Sequence, residues 1–231
     1  MNRDRDFTKV GRALAAPARS VFLNLLMDGG GRPAGELARA AGVSASTASE
    51  HLRVLVDAGL VTCEARGRSR HYALAGPRVA TALEALGVLG DPTPVSGYRH
   101  GRQARNLALA RFCYDHLAGR LGVALTDAWT REGWLTDGDA LALTDAGADG
   151  LRAAGVDVDG AIRARRPTTR ACLDWTERRA HLAGALGAAV GDRFLRAGWV
   201  VRHLSGRGLS VTGSGRELIG GSWGIDLDAR S

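Results

Sequence analysis

Cysteine and histidine are the residues of this 231-residue chain best equipped to hold an ion or react as a thiol. In its second half Cys113 and His116 stand three apart, and Cys172 and His181 nine apart. Sulfur with imidazole nitrogen suits a soft or borderline ion, such as Zn²⁺ or a trivalent arsenical. On a helix the first spacing puts Cys113 and His116 on one face. Nine residues make about two and a half turns, so Cys172 and His181 cannot ligate together from a continuous helix. A joint site then needs the fold to carry Cys172 or His181 to the first pair. The competing reading is packing, because free cysteines are commonly buried as small hydrophobes. A second set offers other chemistry. Tyr114, Trp129, Trp134, Trp175 and Trp199 combine large apolar area with polar tips, as a pocket for an organic effector would, or as a core with no ligand would.

A third set is suited to nucleic acid. From Gly42 to Val61 the spacing predicts a tight turn and a short amphipathic helix, with Ala48, Leu52, Leu55 and Val56 on one face. Ser46, Thr47, Glu50, Arg53 and Asp57 fall opposite, with Ser49 and His51 on the flanks. Ser44 is placed as N-cap and Gly59 as the left-handed residue that stops the helix. Small hydroxyls followed by arginine can reach base edges and phosphates in a major groove. Upstream, Pro33–Ala41 reads as a short helix, which completes a helix-turn-helix. Downstream, 60–64 and 71–74 read as two strands around a turn that carries Arg66, Arg68 and Arg70 and no acid. A basic hairpin in that position is a wing.

Ala13-Leu-Ala-Ala-Pro-Ala-Arg19, the serine- and threonine-rich run with His51-Leu52, Leu55-x-x-Ala-Gly-Leu-Val61 and Gly67-Arg-x-x-x-Tyr-x-Leu74 resemble the ArsR/SmtB winged-helix repressors over about residues 5–90. The resemblance implies a homodimeric repressor of double-stranded DNA that leaves its operator when an effector binds, with the first and fifth helices forming the dimer interface. Metal-sensing members carry cysteine pairs in the helix before the recognition helix, or carboxylate and histidine sets in the last helix. Glu36–Ala40 has no cysteine and 77–89 no histidine, so neither site carries over. Glu50 departs from the histidine or glutamine common there. Phosphates repel it unless it accepts from a cytosine amine.

The net charge of +7 suits a polyanionic partner. Three distant cysteines form no CxxC pair, the charged N-terminus has no signal core, and no apolar run spans a bilayer, which together predict a cytoplasmic chain off the membrane. No phosphate loop, HExxH or GxSxG occurs, so neither an enzyme nor a cofactor is expected.

Stepping along the chain, helices are expected at 5–16, 18–27 and 77–89, the winged helix-turn-helix domain at 1–90, a Pro- and Gly-broken linker at 91–97 and a second domain at 98–231. That second domain contains an internal repeat, about 105–157 and 170–226. His116-Leu-Ala-Gly recurs as His181-Leu-Ala-Gly, Gly133-Trp134 as Gly198-Trp199, and Arg105 falls against Arg170. In this ungapped register Cys113 faces Arg178. Each copy reads as helix, helix, hairpin, helix. The expected fold is mostly α with small β-hairpins, its second domain α-rich. The expected function is a ligand-responsive repressor. Its effector is a small organic molecule, or else a metal, metalloid or thiol signal at Cys113, His116, Cys172 and His181. A regulator without effector is the third reading.

Overall fold

The computed structural model describes residues 4–67, 69–90, 104–138, 141–203 and 206–229. They fall into two compact units divided between Thr81 and Ala82. Arg68 and the expected linker 91–97 lie outside the described residues.

The first unit runs α1 (Thr8–Leu14), α2 (Pro17–Leu26), β1 (Arg32–Pro33), α3 (Ala34–Ala41), α4 (Ala45–Asp57), β2 (Val61–Arg66) and β3 (Ser69–Leu74). Helix α5 (Pro77–Gly87) starts in this unit and ends in the next. The polar–apolar period of α4 decides its placement. Ala48, Leu52 and Leu55 are fully buried with Phe22, Leu26 and Leu37, while Ser46, Ser49, Glu50, Arg53 and Asp57 stay exposed. Ser44 caps the helix by accepting from the Thr47 amide at 3.1 Å, and Gly59, at φ 71°, ends it. The wing is the antiparallel pair β2–β3, with Val61 opposite Leu74 and Arg66 opposite Ser69. Strand β1, which the helix expected around Pro33 hides in sequence, pairs with β3 and gives the sheet order β1-β3-β2.

The second unit is mixed α/β, which corrects the α-rich expectation. After a helical stretch at 104–109 come β4 (Arg111–Cys113), β5 (His116–Ala118), α6 (Gly119–Arg131), a bridge from Leu135 to Leu143, α7 (Asp145–Ala153) and α8 (Val158–Arg163). Then follow β6 (Arg170–Leu173), β7 (Ala180–Ala183), α9 (Gly184–Arg196), β8 (Val200–Arg202), β9 (Leu209–Val211) and α10 (Gly213–Trp223). Hairpins therefore stand where helices were expected to lead each half. Strands β4 and β5 are buried at every position, so they lack the in–out alternation that marks a strand in sequence. The core between these elements is aromatic. Trp129 meets Trp223 edge-on at 5.5 Å, and Phe194 meets Trp199 at 5.1 Å.

Candidate functional site

Two hairpins build the site. The turn Tyr114-Asp115, with Tyr114 at φ 64°, folds β4 onto β5 and sets Cys113 directly opposite His116. In β6–β7 a longer loop does the same for Cys172 and His181. Both pairs are cross-strand partners. Cys113 and His116 do not share a helix face, and the nine-residue separation that forbids joint ligation on a helix is no obstacle across a hairpin. Cys113 is thus set against its own histidine as Cys172 is, which makes Cys172, and not the Arg178 of the ungapped register, its positional counterpart. Likewise Arg111 opposite Ala118 parallels Arg170 opposite Ala183, a role the ungapped register gave to Arg105.

The hairpins then meet. One ligand atom from each of Cys113, His116, Cys172 and His181 lies within 4.8 Å of the others. The sulfurs are 3.9 Å apart, and the imidazoles stack at 5.1 Å between centroids. All four side chains are buried, none more than 3% exposed. Close helix–strand approach makes this possible. A Cβ on Gly187 would come within 2.6 Å of the Leu182 carbonyl oxygen and 3.2 Å of His116 Cβ, and Gly122 stands in the same relation to Leu117 and His181. The Leu182 amide, next to His181, donates to Thr126 Oγ1 at 2.9 Å and ties β7 to α6.

Asp115 orients His116: its Oδ1 lies 3.2 Å from Nδ1, while Arg166 donates to Oδ2 at 2.6 Å. Among the described residues, Nε2 of His116 and both nitrogens of His181 are buried without a hydrogen-bond partner. Unpaired buried polar atoms cost about 1–3 kcal/mol each, so a cluster holding three of them is poorly explained as packing. The Cys113 thiol holds the neighbouring Cys172 thiol far below its ordinary value, against burial and aided by His116 and His181. Cys113 is pushed up in turn by the same hydrogen bond and by burial. Burial opposes charge on His116, but Asp115 and Cys172 outweigh it and raise its pKa. The chemistry available is thiolate and imidazole ligation. Zn–S bonds of about 2.3 Å in a tetrahedron place two sulfurs about 3.8 Å apart, which the sulfur spacing here fits.

The aromatic set is placed differently. Trp129 is 1% exposed in the core, and Trp134 packs at its edge. Trp175 lies under the Arg111 guanidinium at 5.1 Å, and Tyr114 is the half-buried turn residue. The void that Trp129 shares with Leu117, Leu125 and Leu182 holds about 10 Å³, room for a single water. The residues sequence reasoning missed are Asp115, which the neighbouring His116 could have flagged, and Arg111 and Asp174, which no spacing signals.

On the first unit, Ser44, Ser46, Ser49, Glu50 and Arg53 are exposed along one edge of α4, with Thr47 half-buried. Arg66 and Arg70 are exposed on the wing, Arg66 beside Glu64 at 3.4 Å. His51 turns inward, with Nδ1 3.1 Å from Arg19 and its ring edge-on to Phe22. Among the described residues no helix is long and apolar enough to cross a membrane.

Residues 14–64 match the family model of a helix-turn-helix domain. The HTH-type transcriptional regulator YdfF of Bacillus subtilis is 38% identical over 212 residues, covering 91% of this chain and 94% of that protein. The HTH-type transcriptional regulator CmtR of Mycobacterium bovis is 42% identical over 84 residues, covering 36% of this chain and 70% of its own. Among solved structures, the winged helix-turn-helix domain of a possible ArsR-family regulator from Mycobacterium bovis is 32% identical with a TM-score of 0.34, covering 38% of this chain and 89% of that one. These relatives are transcriptional regulators, not enzymes. The chain belongs to the ArsR/SmtB-type winged helix-turn-helix transcriptional regulators and shares its second unit with YdfF.

Proposed function

We propose that this regulator binds an inverted-repeat operator as a homodimer and releases it when a thiophilic metal ion enters the Cys113/His116/Cys172/His181 cluster. The observation that carries the sensor is the buried convergence of four ligand atoms within 4.8 Å, from side chains of which three imidazole nitrogens have no hydrogen-bond partner among the described residues. The family supports the DNA half of the reading, and the homodimeric winged helix-turn-helix relative supports the dimer. In this reading Ser46, Thr47, Ser49 and Arg53 meet the groove from α4, and Arg66, Arg68 and Arg70 hold phosphate or the adjacent minor groove. Glu50 reads a cytosine amine or is repelled, and Ser44 is committed to its cap. His51, engaged by Arg19, drops out of the contact set. An organic effector fits less well, because Trp129 lies in the core, Trp134 and Trp199 pack against it, and the void beside Trp129 has room for a single water.

The second unit reads as an internal duplication with two hairpin-led halves. Supporting it are the matched cross-strand Cys–His pairs, the matched Gly122 and Gly187, and Thr144 and Thr212, which cap α7 and α10 alike. The two halves then supply one Cys and one His each. The division into a DNA-binding part at 1–90, a linker at 91–97 and a sensor part at 98–231 remains our proposal. Glu84, on α5, is buried within the second unit.

The sulfur separation of 3.9 Å favours one alternative, a thiol switch in which a peroxide takes two electrons and joins Cys113 to Cys172. DNA affinity of the full chain, measured with and without Zn²⁺ and with and without peroxide, separates the readings. The metal reading expects Zn²⁺ to weaken binding in the wild type and not in Cys113→Ser/Cys172→Ser. A response to peroxide alone favours the switch, and an identical Zn²⁺ response in the double variant rejects the cluster as sensor.

A further inference from the structure

Beside the cluster, the second unit buries four charged side chains that the sensor reading leaves unused. Glu84 is 2% exposed, Arg111 and Asp174 0%, and Arg207 7%. Arg207 donates to Glu84 Oε1, and Arg111 donates to Asp174 Oδ2 at 2.9 Å. The same Arg111 nitrogen lies 3.9 Å from Glu84 Oε2, beyond hydrogen-bond reach. Glu84 Oε2 and Arg111 Nε have no hydrogen-bond partner among the described residues. One guanidinium therefore stands between two buried carboxylates and satisfies only one of them. The other terminal nitrogen of Arg111 donates to the Leu107 carbonyl and to Thr176 Oγ1, each at 3.1 Å, so a shift of the guanidinium that trades one carboxylate for the other also moves these contacts.

Both ends of the network matter. At one end Arg111 precedes Cys113 by two residues on β4, and Asp174 follows Cys172 by two residues, just past the end of β6. Residues two apart share a strand face, so Arg111 moves with the ligand. At the other end Glu84 rides on α5, a helix that begins at Pro77 in the first unit. The sulfurs, 3.9 Å apart, already fit a tetrahedral ion, so the wider ligand pairs, up to 4.8 Å apart, involve histidine nitrogen and must close to about 3.3–3.6 Å. The Arg111–Glu84 contact falls short of an ordinary hydrogen bond of about 2.9 Å by about 1 Å.

We infer that Glu84 is the residue through which occupancy of the Cys/His cluster reaches α5: closing the four ligands around an ion redistributes Arg111 between Asp174 and Glu84 and changes how the helix is held. Glu84 is a positioning residue and touches no ion itself. The inference rests on the metal-sensor reading above.

The test uses the full chain, Cd²⁺ as the metal, and a duplex selected from random-sequence DNA by the wild type. Three quantities are read in wild type and Glu84→Gln: Cd²⁺ affinity by chelator competition, the ratio of DNA affinities without and with Cd²⁺, and amide exchange over 82–87. Glutamine keeps the shape and an acceptor for Arg207. The expected wild-type ratio lies in the range of about 5–150-fold that links allosteric sites. The variant should bind Cd²⁺ within about threefold of wild type, while its DNA ratio falls below about twofold and α5 exchange stops responding. A wild-type ratio in a variant with wild-type Cd²⁺ affinity overturns the inference. If Glu84→Gln does not fold, Glu84→Met/Arg207→Met removes both charges together and is judged by the same ratios. Failure of the wild type to bind Cd²⁺ at all removes the sensor reading itself. Cd²⁺ binding that leaves DNA affinity unchanged in the wild type overturns the relay while sparing the metal site.

Discussion

Asp174 gives the sharpest stability prediction. Its carboxylate is fully buried and accepts from Arg111 at 2.9 Å, the Gly119 amide at 2.6 Å, the Thr176 amide and hydroxyl at 2.9 and 2.7 Å, and the Glu177 amide at 3.1 Å. Asp174→Asn keeps the volume but replaces one acceptor oxygen by a donor. Arg111 and Gly119 share Oδ2, while Thr176 and Glu177 share Oδ1, so either amide orientation turns NH₂ toward at least two donors. Breaking a buried pair from one side costs about 3–5 kcal/mol, and the variant should lose that much. All five tryptophans, Trp129 to Trp223, belong to the second unit, so denaturant unfolding followed by selectively excited tryptophan fluorescence reports on that unit. The pH dependence has a definite sign. Burial works against the charged form, but Arg111 and the Thr176, Glu177 and Gly119 hydrogen bonds hold the Asp174 pKa well below the usual carboxylate range. A group depressed on folding contributes fully above its unfolded value of about 3.9 and loses that contribution as pH falls toward the folded value. The gap between wild type and variant should therefore be constant near neutrality and narrow below about pH 4. A loss under about 1 kcal/mol at pH 7, or a gap that widens in acid, would refute the reasoning.

Three further outcomes follow from the same geometry. Gly187→Ala should destabilise the second unit by about 1–3 kcal/mol and weaken Cd²⁺ binding, because the new methyl meets the Leu182 carbonyl and His116; calorimetry and chelator competition read both. Replacing Arg66, Arg68 and Arg70 by alanine should weaken specific and nonspecific DNA binding alike and flatten the slope of log affinity against log salt by about one counterion per lost contact, an unchanged slope removing the wing from the interface. Fragment 98–231 leaves Arg207 and Arg111 without Glu84, so it should unfold at lower denaturant than the same unit in the full chain, and an 82–231 fragment, which regains Glu84, should abolish the difference.

The first unit was legible because its signals are periodic. Helix α4 places an apolar residue at each inward position from Ala48 to Leu55, with Ser44 and Gly59 marking its ends. The wing has an alternating strand and a glycine turn. The second unit hid the hairpins that lead it. Strands β4 and β5, buried at every position, carry no period, and a Cys-x-x-His spacing reads equally as a helix turn or a two-residue hairpin turn. In the duplication we propose, the histidines were visible because they recur at a constant offset. Its cysteines were not, because the loop from Cys172 to His181 is longer than the one from Cys113 to His116 and breaks any ungapped register. The four candidate ligands were therefore named from residue type, while their pairing across two hairpins depended on tertiary structure. The Asp174–Arg111–Glu84 network joins residues far apart in sequence, and local pattern carries no trace of it.

The central claim is that the four buried side chains bind one ion together, and Co²⁺ titration of the reduced full chain tests it most directly. Visible d–d bands of tetrahedral intensity with a near-ultraviolet sulfur-to-metal band, saturating at one ion per chain, are the predicted result. Both should vanish in Cys113→Ser/Cys172→Ser, and the sulfur-to-metal band should persist with shifted d–d bands in His181→Gln. Weak octahedral bands without sulfur charge transfer, or a spectrum unaltered by loss of both cysteines, would contradict the account.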